Sequence, residues 1–325
     1  MTKSPLDAVA PELRQALSSF PPLDFSQGLE AYRQPLRGLV VPPPEGPLAS
    51  VDREERFVPG GADSPDVRVL LYSPPGDTTE PRPAVLHIHG GGFVLGTPEL
   101  NDVANRAMAL ELGALVVSVE YRLAPEVAWP GALHDCYAAL CWLHDNAAQI
   151  GVDPSRIAVA GESAGGGHAV ALALHARDQG GPDIRLQVLD APMLDDRTGV
   201  TGEPHPHCGQ FVWKAETNRF GWSALLGQDA GGPDVPAAAV PARATDLAGL
   251  APTFITVGAL DLLLDESLEW TRRLALAGVP VELHVIPGAY HGFSLASGTP
   301  QVQQIEQLRT QALARAFRMA SANRG

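Results

Sequence analysis

The chain reads as an α/β protein built on a mostly parallel sheet with helices on both faces. Short, continuously apolar runs recur along it: AVLHIHG (84–90), ALVVSVEY (114–121), IAVAG (157–161), LQVLDAPM (186–193), TFITVGA (253–259) and VELHVIP (281–287). Between them lie stretches of helical composition near 101–112, 131–148, 164–178, 262–277 and 301–320. Strands apolar at nearly every position are buried on both faces, and such strands separated by helices form parallel sheets. The 325 residues are 45% hydrophobic and 18% charged, enough for a full-sized core and unlike a disordered chain.

Taken in order, Leu6, Val9, Leu13, Leu17 and Phe20 trace a helical stripe over 6–20, and Leu29, Tyr32 and Leu36 trace a second that Gly38 stops. VPPPEGP (41–47) follows as a stiff linker. Two extended stretches, 53–58 and 67–72, predict an antiparallel opening to the sheet. The strand–helix alternation breaks from about 195 to 250, where Pro, Gly and aromatics accumulate and helical character is confined to 214–226. Long excursions of this kind often form lids over a site. The expected organisation is therefore N-terminal cap helices at 1–45, a catalytic α/β domain over 46–194 and 227–325, and a cap insertion at 195–226.

The composition narrows the partners. A formal net charge of −14 repels nucleic acid and anionic lipid, so neither is expected. Cys136, Cys141 and Cys208 are too few and too scattered for a disulfide framework or a zinc site, and read as free thiols of a reducing compartment. The start MTKSPLDAVAPEL lacks the apolar stretch of a signal peptide, and no apolar run suits a membrane helix. A cytoplasmic protein without metal or cofactor is expected.

Three motifs carry chemistry. G-E-S-A-G at 161–165 follows the strand IAVA and opens a helix, the setting of a nucleophile elbow. Gly161 and Gly165 give the tight turn its room, and Ser163 is lifted to a helix N-terminus, where N–H groups favour developing negative charge. H-G-G-G-F at 89–93 follows another strand, and successive glycines let backbone N–H groups approach an oxyanion. Gly91, Gly92 and Ala164 are the expected donors, while His89 pins the loop. His87 reads as a packed core histidine. His291, in GAYHGF after a late strand, satisfies the chain order serine, acid, histidine. His205 and His207 read as a solvated loop pair. Asp261, at the C-terminal end of TFITV, is the preferred acid; Asp190, Asp195 and Asp196 are alternatives, and Asp265 reads as support for the following helix. Phe93, Phe211, Trp213 and Phe220 are candidates to line a substrate pocket. Because the base must be neutral, turnover should rise with pH through about 6.5.

HGGGF (89–93), YRLAPE (Tyr121 to Glu126), GESAGG (161–166), the D-x-L-x-D run from Asp261 to Asp265 and HGF (291–293) together resemble the hormone-sensitive lipase-like family (family IV) of bacterial carboxylesterases, within the α/β-hydrolases. The resemblance spans about residues 80–300. It implies an eight-stranded sheet, a helical cap, and cofactor-free hydrolysis of short- to medium-chain acyl esters, a small-molecule substrate class. It also implies Asp261 rather than Asp265 as the acid, and a possible homodimer. Deacetylase, lactonase or amidase chemistry on the same site is the alternative within enzymes. Relatives that act as small-molecule receptors have lost the histidine that is present here. The chain departs from the family pattern at Glu162, where Asp is usual, and at Val127, Ala128 and Trp129.

Overall fold

The computed structural model describes residues 4–20, 22–25, 28–61, 64–76, 80–201 and 205–318. Eight strands form one sheet: β1 (Asp52–Val58), β2 (Val67–Ser73), β3 (Arg82–Ile88), β4 (Leu115–Val119), β5 (Val152–Glu162), β6 (Gln187–Asp190), β7 (Thr253–Gly258) and β8 (Val281–Ile286). Their order is β1-β2-β4-β3-β5-β6-β7-β8. β1 and β2 pair antiparallel, β2 joins β4 antiparallel, and every other pairing is parallel. The helices are α1 (Arg14–Leu17), α2 (Glu30–Arg33), α3 (Asp102–Leu112), α4 (Gly131–Asp145), α5 (Ala164–Gln179), α6 (Ala215–Leu226), α7 (Leu264–Leu276) and α8 (Pro300–Arg318). Among the described residues, no helix is long and apolar enough to cross a membrane.

While the edge strands β1 and β8 are largely exposed or half-buried, the inner strands of the sheet are buried on both faces. On one, Leu86, Ile88, Val117 and Val159 pack with Leu133 and Leu140 of α4, Val170 of α5 and Trp270 of α7. On the other, Val85, Val116 and Ala158 pack with Met108 of α3 and Leu313 and Phe317 of α8. This two-sided burial is what the unbroken apolar runs encode. One run pairs over less than its length. The segment 186–193 forms strand only to Asp190, because Ala191 adopts a φ of 41° and Pro192 has no N–H to donate.

The N-terminal stripe is not one helix. It breaks into 3-10 turns at Pro5–Ala8 and Pro11–Leu13 before α1, because Pro11 cannot continue the helical hydrogen bonding. Val9 and Leu13 are nonetheless buried, packing with Ile286, Tyr290, Phe293 and Ile305, whereas Leu17 and Phe20 are half-buried and Leu6 is exposed. The expected linker is also shorter than 41–47, since Gly46–Ser50 is a 3-10 turn.

A third cluster sits above the C-terminal ends of the strands. Trp213, Trp222 and Leu225 from the 195–226 stretch and Phe25 from the N-terminal segment pack on Phe93, Ala164 and Met193. Polar side chains anchor this layer. Arg33, the last residue of α2, donates to the carbonyls of Val94 and Ala124 and pairs with Glu126 at 2.6 Å. Asp196 accepts from Arg243 Nε and Nη2, each at 2.8 Å, and from Gly231 N at 2.7 Å. Glu266 of α7 accepts from Leu194 N at 2.8 Å and from the Thr198 hydroxyl, and burial raises its carboxyl well above the usual range.

Asp196 is fully buried and its ion pair is bidentate. Replacing it with Ala strands the guanidinium of Arg243, and the expected loss of stability is roughly 3–5 kcal/mol, the usual cost of removing one partner of a buried pair. Urea denaturation of Asp196→Ala against the parent protein measures it.

Candidate active site

β5 ends at Glu162 and α5 begins at Ala164, leaving Ser163 alone in the turn with φ 52° and ψ −118°. A non-glycine residue there is strained by about 1–3 kcal/mol and persists only where its surroundings force it. They do so here. Ser163 N donates to Asp190 O at 2.8 Å, and Met193 N donates to Ser163 O at 2.9 Å. The glycines are sterically required: a Cβ on Gly161 would overlap the backbone of Gly165, and one on Gly165 would overlap the carbonyl of Ile88.

Ser163 Oγ lies 2.9 Å from His291 Nε2. His291 Nδ1 lies 2.9 Å from Asp261 Oδ2 and 3.1 Å from Oδ1. The loops after β7 and β8 deliver the acid and the imidazole. They pack so closely that a Cβ on Gly258 would overlap the backbone of Ala289. Asp261 Oδ1 also accepts Leu263 N at 2.9 Å, which fixes the carboxylate's orientation. Asp261 is 1% exposed, His291 7% and Ser163 9%, so water screens these contacts weakly. The alternative acids are engaged elsewhere: Asp190 accepts from Thr256, Asp195 pairs with Arg197, and Asp196 holds Arg243. Asp265 is exposed at the start of α7.

Burial alone would lower the basicity of His291. The Asp261 carboxylate outweighs it, by charge and by hydrogen bond, and Asp190 adds to the same side, so the imidazole titrates above its ordinary value. This moves the sequence-based expectation of about 6.5 upward.

In the HGGG loop, Gly91 has φ 127° and Gly92 φ 60°. A Cβ on Gly91 would overlap the carbonyl of Leu95, and one on Gly92 would overlap the indole of Trp213. Among the described residues, the backbone N–H groups of Gly91, Gly92 and Ala164 have no hydrogen-bond acceptor. Unpaired N–H groups beside a buried hydroxyl are unusual, and they suit a ligand oxygen. His89 donates from Nδ1 to Gly90 O at 2.8 Å, stacks on Tyr121, and has its carbonyl bonded by the Tyr121 hydroxyl. Burial pushes His89 down to about 4, so it remains neutral.

The four aromatic candidates separate in space. Trp213 tilts against the His291 ring, with centroids 5.9 Å apart, and its Nε1 donates to Asn218 Oδ1 at 3.0 Å. Phe93 is buried between His168 and Trp222, Phe220 packs on Phe25, and Phe211 on Tyr290. Two expectations for histidines change. His205 is not merely solvated, since its Nδ1 accepts the N–H groups of His207 and Cys208 and so organises the insertion's turn. His87 is buried but not an inert packing residue, because its Nε2 meets the Glu162 carboxylate at 3.0 Å. Glu266, whose carboxyl ties α7 to the base of the insertion, carried no motif that would have singled it out. Among the described residues, no group of His, Cys, Asp and Glu could hold a metal ion.

An eight-stranded sheet with a strained serine between a central strand and its helix defines the α/β-hydrolase class. The chain belongs to that fold family, whose model matches residues 85–295, and within it to the hormone-sensitive lipase-like carboxylesterases. It is similar to the esterase LipI of Mycobacterium tuberculosis, 39% identical over 88% of each chain, and to the carboxylesterase NlhH of the same organism, 38% identical over 88% of each. Among solved structures it resembles a bacterial heroin esterase, with a TM-score of 0.90 at 38% identity, covering 97% of this chain and 100% of that one.

The raised basicity of His291 has a definite sign. The charged imidazole stabilises the folded state fully below about 6.5, and that stabilisation is lost as pH rises through the folded value. An NMR titration should place the His291 transition above about 6.5, and Asp261→Asn should move it down, because the largest opposing influence on burial is removed.

Proposed function

We propose that the protein hydrolyses carboxylic esters of short- to medium-chain acyl groups through a covalent acyl-enzyme on Ser163. The observation that carries this reading is the continuous line of short contacts from Ser163 Oγ through His291 to Asp261. Ser163 attacks the ester carbonyl while His291 Nε2 takes the hydroxyl proton. Asp261, held by Leu263 N, orients the imidazole and stabilises its charged form without taking the proton. The tetrahedral oxyanion is received by the N–H groups of Gly91, Gly92 and Ala164, each such donor typically worth about 3 kcal/mol of barrier. His291 then returns its proton to the leaving alkoxide, and water repeats the sequence on the acyl-enzyme. Trp213, in contact with both His291 and Gly92, walls the space in which the substrate sits. The names of the two mycobacterial relatives and of the heroin esterase support ester hydrolysis as the reaction type.

A panel of esters of rising acyl length, with matched amides and lactones, tests the substrate class. Turnover is expected to favour short and medium acyl esters; faster turnover of the matched amides or lactones would reassign the reaction. Ser163→Ala should lower kcat by roughly a thousandfold or more, and retention of the parent rate would mean that another group is the nucleophile. Gly92→Ala introduces a methyl group where the Trp213 indole already lies, and a clear fall in kcat/KM is expected in the same assay.

A further inference from the structure

A second polar pair lies immediately behind the triad. Glu162 is the last residue of β5, and His87 is the penultimate residue of β3. The two strands run parallel, with His87 opposite Ala160 and Ile88 opposite Gly161. At that point the ladder ends and the loops begin: three residues beyond His87 the glycines of the oxyanion loop start, and one residue beyond Glu162 stands the nucleophile. Glu162 reaches back diagonally across the ladder, and its two carboxylate oxygens lie 3.0 and 3.2 Å from His87 Nε2. The other ring nitrogen of His87 is bonded to Ser118 Oγ of β4 at 2.9 Å, with the Asn105 amide at 3.4 Å. One side-chain tie therefore spans β4, β3 and β5 where the backbone bonds stop.

We propose that Glu162 and His87 act as a matched pair of positioning residues that fix the gap between the oxyanion loop and the nucleophile. The proposal rests on the serine-hydrolase reading given above. The backbone places the same demand on this junction: a Cβ on Gly90 would lie only 3.1 Å from the Glu162 carbonyl, so the oxyanion loop rests directly on the residue preceding Ser163. Side-chain length is the critical property. An aspartate here would stop one C–C bond short, about 1.5 Å, and could not hold His87 at 3.0 Å from the present backbone.

The surrounding charges are consistent with an ionised Glu162. Burial opposes its charge, but His87 outweighs that, and the carboxyl is held below its usual range. Asp190 is its ladder partner on β6 and lines the same small cavity, together with Thr256 of β7 and Arg309 of α8. Burial pushes Asp190 up to about 6, against the Thr256 hydrogen bond, and the Glu162 charge adds to the rise. Of the two adjacent carboxyls, the one that faces His87 is the more acidic.

The test is a set of variants assayed on one short-chain ester, with folded fraction measured by circular dichroism and with Ser163→Ala as reference. Glu162→Asp is expected to lower kcat about tenfold, in keeping with the cost of sub-ångström to ångström misplacement at a reacting centre, while KM moves less than twofold. Glu162→Gln keeps the length and an acceptor for His87, and should recover most of that loss. His87→Leu should lower kcat to a similar degree, and the double variant Glu162→Asp/His87→Leu should be no worse than the poorer single one. Binding of a boronic-acid transition-state analogue should weaken in parallel with kcat. Wild-type kcat in Glu162→Asp overturns the proposal, as do additive effects in the double variant, or a kcat loss that only tracks the folded fraction. Should either single variant fail to fold, Glu162→Gln and His87→Gln decide it, since retained kcat and analogue affinity in both supports the length-matched tie and a tenfold loss in both overturns it. Activity that survives in Ser163→Ala defeats the serine-hydrolase reading instead, a result separate from all of these.

Discussion

The structure depends on one backbone constraint, the turn that carries Ser163 at positive φ between β5 and α5. A side chain in that conformation faces away from both the strand and the helix, which is how a hydroxyl reaches the rim of the sheet. The strain is tolerated because β3, β5 and β6 all press on the turn: Gly165 lies against the Ile88 carbonyl, and Asp190 O holds Ser163 N. The glycines at 161 and 165 are thus consequences of close packing, and the parallel register of the central strands decides where the nucleophile stands. Strain at a functional position, over-determined by its surroundings, is the usual form in which folds keep such a residue poised.

The site combines deep burial with few uncompensated charges. Asp261 is almost sealed from water, yet it is bonded by both His291 and Leu263 N. Glu162 faces His87, Asp196 faces Arg243, and Asp190 and Glu266, which form no ion pair, are raised by burial. Removing a charge from water costs several kcal/mol unless a partner replaces the solvent. That cost explains why Glu162, which meets His87, is held below the usual carboxylate range, while Asp190 and Glu266, bonded only by neutral donors, are raised above it.

Much of this was legible in the chain. The parallel sheet followed from runs such as AVLHIH and TFITV, whose apolar residues have no period, and the antiparallel opening followed from the two stretches before them. Ser163 and His291 stood out through the elbow motif and the chain order, whereas Asp261 was only preferred over Asp190, Asp195 and Asp196, because which carboxylate meets the imidazole is settled in space. What was not legible depends on distance in space. The N-terminal stripe looked like a helix because Pro11 leaves the spacing of Leu13 and Leu17 undisturbed while removing the hydrogen bond. His87 looked like a core residue because nothing in a linear pattern shows that Glu162, seventy-five positions later, arrives beside it. Glu266 and Asp196 carry no motif at all, and their roles emerge only once the insertion folds back on α7 and Arg243.

The segment around residues 10–13 and the loop that delivers the base hold each other. Ala10 N donates to Gly288 O at 3.0 Å, and the Tyr290 hydroxyl donates to Leu13 O at 3.0 Å. Leu13 and Tyr290 are 277 positions apart in the sequence. Residues near 10 have this docking surface only when the loop at 288–290 is in place. Loosening of residues 10–13 therefore unfastens the loop that seats the imidazole, so a segment that never touches the triad helps to hold its base in place.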